Sequence, residues 1–165
     1  MSITSTKKTE TNVVEMEIAV SAEQLKEATE NQAEVRVNER GLMVRLYSSL
    51  LFEAGSARLT PAALEVLRNV VPLLANIDNY IMIEGHTCDL PLVDTSLFQD
   101  NWDLSGARAS AVLRYLQQSG IDPERMRTSA FGEYRNILPN NSEANRARNR
   151  RVDIVIVSNR SLIIE

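Results

Sequence analysis

The stretch AEVRVNERGLMVRLYSS, residues 33–49, constrains the fold most. Apolar and polar residues alternate on both sides of Asn38-Glu39-Arg40-Gly41. A period of two is the repeat of a strand with one buried face. Two such runs around a short glycine-containing turn predict an antiparallel hairpin with Gly41 in the turn. A mixed layer of strands and helices then follows from the rest of the chain. NYIMIE (79–84) and RVDIVIV (151–157) read as strands, and a shorter strand is expected near Met126–Phe131.

Three segments carry helical spacing. SAEQLKEATENQ, 21–32, has Ser21 at the cap position and Gln24 where a capping box needs it. A second helix starts at Thr60, with Pro61 as its first residue, and Leu64, Leu67, Val71 and Leu74 are spaced for one buried face. The third, 101–118, carries Leu104, Ala107, Ala111, Leu113 with Arg114, and Leu116 as its stripe and ends before Gly120, a C′ residue by composition. Between the strand at 79–84 and this helix lies GHTCDLPLVDTSLFQD, 85–100, a loop long enough to imply a function. SEANRARNRR, 142–151, reads as a polar, basic turn. The order is helix, hairpin, helix, strand, helix, strand, basic turn, strand. That order defines an α+β fold, a two-layer sandwich of helices on a mixed sheet. Residues 1–32 read as a tail or linker with one short helix, 33–158 as the domain, and 159–165 as a C-terminal tail.

Composition narrows the function classes. The chain has 165 residues and a net charge of −4. An acidic chain whose one basic run has few aromatics around it is not built for nucleic acid. No run of about 18 apolar residues exists, as a membrane-spanning helix would need, and MSITSTKKTE has no apolar signal core. The single cysteine, Cys88, cannot form an intrachain disulfide. His86 and Cys88 could in principle form a nucleophilic pair, but no third orienting group is apparent. One His and one Cys in the whole chain make a poor metal set.

The polar residues at the start of the helix 101–118 need a different account. Asn101 and Asp103 have the chemistry of caps, and Arg108 follows one turn later. A helix N-terminus offers free N–H groups and partial positive charge, and a guanidinium adds a planar fork that fits a carboxylate. Two readings stand at this point: Asn101 as a simple cap with Arg108 as a solvated arginine, or the two together as an anion clamp.

These pieces resemble the OmpA-like peptidoglycan-binding domain. The resemblance rests on Asn101-x-x-Leu104-Ser105-x-x-Arg108-Ala109-x-x-Val112-x-x-x-Leu116, preceded by Gly85-His86-Thr87. It continues in Gly120-Ile121-Asp122, Phe131-Gly132-Glu133 and Asn149-Arg150-Arg151-Val152-Asp153-Ile154, in family order over residues 42–157. Within the family, LLFEAGSARLTPAALEVL and Asn101-Trp102-x-Leu104-Ser105 are most similar to the MotB-like wall anchors of flagellar stators, with envelope tethers outside the motor as the alternative. The resemblance implies a mixed sheet with helices on one side. It also implies a non-enzymatic activity with no cofactor and no metal: capture of the peptidoglycan stem peptide, through the carboxylate and ammonium of diaminopimelate. Arg108 stands at the family's carboxylate-binding arginine, Asn101 and Leu104 beside it, and Thr87 at a loop position whose backbone lies at the site. The family's ammonium-accepting aspartate is here Cys88, a weak acceptor, and the neighbouring Asp89 is the candidate substitute. Further implied are a homodimer, a MotA-like stator partner reached through a membrane helix outside this chain, and a periplasmic location.

Overall fold

The structure is a computed structural model, and it describes residues 18–158. The elements are α1 (Ala22–Ala28), β1 (Glu34–Asn38), β2 (Gly41–Tyr47), α2 (Ser48–Leu51), α3 (Pro61–Ala75), β3 (Ile81–His86), α4 (Asn101–Gln118), a 3-10 turn (Pro123–Arg125), β4 (Met126–Ala130), α5 (Glu143–Asn149) and β5 (Arg151–Val157). The five strands form one sheet in the order β1-β2-β5-β3-β4. Only β3 and β4 run parallel, and α4 is the crossover that joins them. The sheet is therefore mixed, as the alternation of patterns predicts.

The hairpin forms as expected. Asn38 pairs with Gly41 across the two-residue turn, and Gly41 has φ +139°. A Cβ there would meet the Ile156 carbonyl oxygen at 2.0 Å. Glycine is required both by the backbone and by the neighbouring strand.

Register divides the sheet into two chemically different faces. Leu42, Ile156 and Ile81 share one row, and Val44, Ile154 and Ile83 the next. They face the helices and join Val66, Leu67, Val70 and Leu74 of α3 and Ala109, Val112 and Leu116 of α4 in one core. Each fully buried Leu or Ile contributes about 1.5–3 kcal/mol. The alternate rows point to the other side. They carry Met43, Val155 and Met82, then Arg45, Asp153 and Glu84, then Tyr47, Arg151 and His86. Buried charge is tolerated there because it is paired: Arg45 grips both oxygens of Asp153 at 2.9 and 3.1 Å, and Arg40 both oxygens of Glu84 at 3.0 and 2.7 Å.

The caps read from sequence are present. Ser21 and Gln24 form the reciprocal capping box of α1, and Thr60 accepts from the Ala63 N–H with Pro61 at the first turn. Several boundaries differ. α1 ends at Ala28 rather than residue 32, because Glu30 and Asn31 turn to φ 52° and 59°. The strand expected at 79–84 is shifted to Ile81–His86, since β5 pairs with it as far as His86↔Arg151. Asn79 instead donates its side-chain N–H to the Val157 carbonyl at 3.0 Å. The buried face of α3 is centred on Ala63, Val66, Leu67, Val70 and Leu74, with Leu64 and Val71 half-buried on its flanks. The basic segment 142–151 is not a turn. Ser142 caps a helix there, Glu143–Asn149, with Glu143 at its positive end and Arg146 and Arg148 at its negative end.

Ile18, Val20 and Leu25 pack into the same core as the sheet. The rest of the expected N-terminal tail, 1–17, and the C-terminal tail, 159–165, lie outside the described residues.

Candidate functional site

The sheet and α4 come into close contact at Gly85. Its position facing the helix has no room for a side chain: a Cβ would stand 2.0 Å from the Ser105 carbonyl oxygen. That approach brings the strand end and the start of α4 together, and the site forms where they diverge. A cavity of about 820 Å³ opens there. Thr87 and Cys88 enter it from the end of β3, Asn101, Leu104 and Arg108 from α4, Phe52 and Gly55 from the α2–α3 loop, and Glu143 and Arg150 from α5. The apolar part of its wall is the loop Leu90–Val93 and Leu97.

The loop is built by backbone hydrogen bonds. The Thr87 N–H donates to the Gly132 carbonyl at 2.8 Å, and the Thr87 hydroxyl to the Cys88 carbonyl at 2.9 Å. Asn101 does not cap α4. Asp100 does so, accepting from the Asp103 N–H at 2.9 Å, while Asp103 accepts from the Gln99 N–H at 2.9 Å. The Asn101 amide is thereby free to reach back to the loop, donating to the Leu90 carbonyl at 3.1 Å and the Cys88 carbonyl at 3.4 Å. Its role is to shape the cavity wall.

α4 is rotated from the stripe expected for it. Its buried face is Leu104, Ser105, Arg108, Ala109, Val112 and Leu116, while Ala107, Ala111 and Leu113 are half-buried and Arg114 is exposed. Arg108 thus lies on the inner face and is only 4% exposed. Its Nε donates to the Ser56 carbonyl at 2.9 Å, and its Cζ sits 4.9 Å over the Phe52 ring. Among the described residues no carboxylate lies within ion-pairing distance of it. Burial, and then the charge of Arg150, pushes its pKa down to about 10.

Arg150 is the residue that sequence reasoning passed over. Its Nη1 reaches the Cys88 sulfur at 3.4 Å, and its Nη2 pairs with Glu143. Arg150 and Arg151 are neighbours but serve opposite sides. Arg151 bonds Asp153 at 3.2 Å on the far face of the sheet, and Arg150 lines the cavity. The period of two at the start of β5 is the signal that could have separated them. Asp89 does not line the cavity; its carboxylate accepts from Arg146 Nε at 2.9 Å. The cavity therefore presents two guanidinium groups, a thiol and, at its rim, one exposed carboxylate. It can receive an anion between Arg108 and Arg150.

His86 and Cys88 open onto different sides of the sheet. The imidazole stacks on Phe131 at 5.0 Å, and burial followed by the charge of Arg151 pushes its pKa down to about 4. His86, Glu84 and Asp153 are the one group of potential metal ligands among the described residues. Both carboxylates are already held by arginines, which oppose a cation there.

The motif order and the cavity together define a class of wall-binding domain. The chain belongs to the OmpA family, whose pattern matches residues 51–150. It is an OmpA-like peptidoglycan-binding domain related to MotB, and not an enzyme. Motility protein B of Bacillus subtilis is 30% identical over 130 residues, 78% of this chain and 49% of that protein. A MotB-like protein from Desulfovibrio vulgaris has a crystal structure that superposes with a TM-score of 0.77 at 31% identity, over 87% of this chain and 95% of that one. The periplasmic domain of Helicobacter pylori MotB superposes with a TM-score of 0.68 at 28% identity, over 80% and 85%. The chain spans about half the length of the curated relatives it matches.

Proposed function

We propose that this domain is a noncovalent anchor that holds a flagellar stator to the cell wall. Its cavity takes a carboxylate of the peptidoglycan stem peptide between Arg108 and Arg150. Thr87, Cys88, Asn101 and Leu104 shape the rest of the site. The observation that carries this reading is Arg108: a guanidinium buried without a carboxylate partner beside an open cavity. A charge in that position is costly unless an anion joins it. Asp89, held by Arg146, acts here by tying the loop to α5. Glu143 and the carbonyls of the Cys88 loop are the groups available to the ligand's ammonium.

The MotB relatives support a periplasmic location and a stator role, and the family resemblance supplies the remaining parts of the reading. The domain works in the periplasm as part of a longer, membrane-anchored subunit, acts as a homodimer, and serves a stator with a MotA-like partner.

Co-sedimentation with purified sacculi tests the anchor. The parent protein is expected to pellet with them, and Arg108→Ala to lose at least about tenfold in affinity, as a charge-assisted pair is removed. Equal binding by both proteins would overturn the site. Swimming of cells that carry the same substitution in the full-length protein tests the stator role. Loss of sacculus binding with normal swimming would leave a wall tether outside the motor.

A further inference from the structure

The charge of the cavity bears on more than the carboxylate. It also bears on the nitrogen next to it. In diaminopimelate the carboxylate and the amine share one carbon, so a carboxylate held between Arg108 and Arg150 brings that nitrogen to the inner side of the cavity. The nitrogen arrives in one of two forms. Free, it is an ammonium, a cation with three donors. Acylated, as it becomes when two stems are cross-linked, it is a neutral amide with one N–H.

The inner side offers a cation little. Arg108 is buried, and Arg150 is close enough for its charge to lower the pKa of Arg108. The Cys88 sulfur, 3.4 Å from Arg150 Nη1, is a weak acceptor. The loop carbonyls are already engaged, that of Cys88 by the Thr87 hydroxyl and Asn101, and that of Leu90 by Asn101. Nearby carboxylates are committed elsewhere: Asp89 to Arg146, and Asp100 and Asp103 to the start of α4. Glu143 is the one carboxylate lining the cavity. Its side chain is 69% exposed at the rim and already paired with Arg150. An ammonium here would meet two guanidinium groups of like charge and share one solvated carboxylate.

The same surroundings suit an amide. One N–H needs one acceptor and no counter-charge. The Cys88 sulfur and the hydroxyls of Thr87 and Ser48 line the cavity, and the buried Ser48 hydroxyl has no hydrogen-bond partner among the described residues. The acyl group has room as well. The cavity measures about 820 Å³, with Phe52, Leu90, Leu92 and Val93 among its apolar lining. That is the size of pockets that enclose drug-sized ligands, more than one free amino acid fills.

We propose that the cavity selects stem peptides whose diaminopimelate amine is acylated, the form present at a cross-link between two stems, over stems whose amine is free. The proposal rests on the peptidoglycan reading above and names the ligand state that the same site prefers. Selection comes from the form that is repelled as much as from the form that is accepted. An anchor of this kind grips the cross-linked, load-bearing mesh in preference to loose stems.

Competition against purified sacculi tests the selection. The probes are two soluble stem tripeptides that differ only at the side-chain amine of diaminopimelate, free in one and N-acetylated in the other. The acetylated tripeptide is expected to release the parent protein at about one tenth of the concentration that the free one needs. Cys88→Asp places an anion on the inner side and is expected to reverse the order. Arg150→Gln removes one cation and frees Glu143, and is expected to bring the two peptides within about threefold of each other. Equal potency against the parent, release by neither peptide, or better release by the free amine would each overturn the selection, while sacculus binding that still depends on Arg108 leaves the anchor intact. An order unchanged in both variants would also overturn it, since the charge of the cavity would then not set the preference. Sacculus binding indifferent to Arg108→Ala would instead remove the carboxylate pocket itself, and the selection with it.

Discussion

Arg150 donates to the sulfur of Cys88 across 3.4 Å, while the other arm of its guanidinium is held by Glu143. A neutral thiol is a weak acceptor. The inner side of the cavity thus has two cations, Arg108 and Arg150, and no anion of its own. This leaves the pocket better matched to a carboxylate than to an ammonium group.

Replacing that thiol should change the ligand balance. Cys88→Asp would place a carboxylate beside Arg150 and supply an acceptor for an ammonium. Sacculus binding is expected to strengthen by about tenfold, with Cys88→Ser unchanged as the size control. Quantitative co-sedimentation measures it. Equal binding by Cys88→Asp and the parent would show that the ammonium is received elsewhere, with Glu143 the first place to look.

Arg108 should prove a residue kept for binding at the expense of stability. Burial lowers its pKa to about 10 from 12.5, so holding the charge at neutral pH costs the folded state on the order of 3 kcal/mol. The contacts with Ser56 and Phe52 return part of that. Arg108→Met is therefore expected to raise stability by roughly 1 kcal/mol while abolishing wall binding. Urea unfolding checks the first and co-sedimentation the second. A fall in stability of more than about 1 kcal/mol would mean that the guanidinium is needed for packing.

Gly85→Ala should be severe. The added methyl would stand 2.0 Å from the Ser105 backbone oxygen, so β3 and α4 would have to move apart. A loss of about 3 kcal/mol or more is expected by thermal or urea unfolding, an overpacking effect at the tight end of its range. A loss below about 1 kcal/mol would show that the helix slides on the sheet more easily than the packing implies.

His86 gives the domain an acid-side weakness. Its folded pKa, about 4, lies below the ordinary 6.5 because of burial, and because Arg151, with Arg45 and Arg135, outweighs the opposing pull of Asp153. Above pH 6.5 the folded and unfolded states are both neutral at this residue. As pH falls from 6.5 towards 4, the unfolded chain takes up a proton that the folded protein refuses. Stability is then lost progressively, by up to about 3 kcal/mol. His86→Gln cannot titrate and should show a shallower decline over the same window, measured as urea midpoints from pH 7 to pH 4. Parallel curves would place the acid sensitivity in other groups.

Local signals were legible because their physics is local. The Ser21 and Thr60 caps, the Pro61 start, the Gly41 hairpin and the alternation in β5 each act within a few residues. The helix α5 was not legible, since Glu143–Asn149 is short, polar and has no apolar stripe to read. Arg108 could be singled out by its motif spacing, and its environment could not. The stripe drawn from Leu104, Ala107 and Ala111 set the arginine outside the core, and the structure rotates the helix to bury it. Periodicity shows that a helix has a buried face. It locates that face poorly when small residues such as Ala107, Ala109 and Ala111 occur all round.

By itself the sequence determined the hairpin, three of the helices, the remaining strands and their order, the mixed two-layer architecture and the family motif that marks one end of α4. Tertiary structure alone decided that Arg108 lies buried without a carboxylate, that Asp89 answers to Arg146, and that Arg150 meets Cys88. It also stacked Tyr134 on Trp102. These are contacts between residues far apart in the chain, such as Arg108 with Ser56 and Arg150 with Cys88. They depend on how strands register and how closely a helix can approach a glycine, and no short-range pattern encodes either.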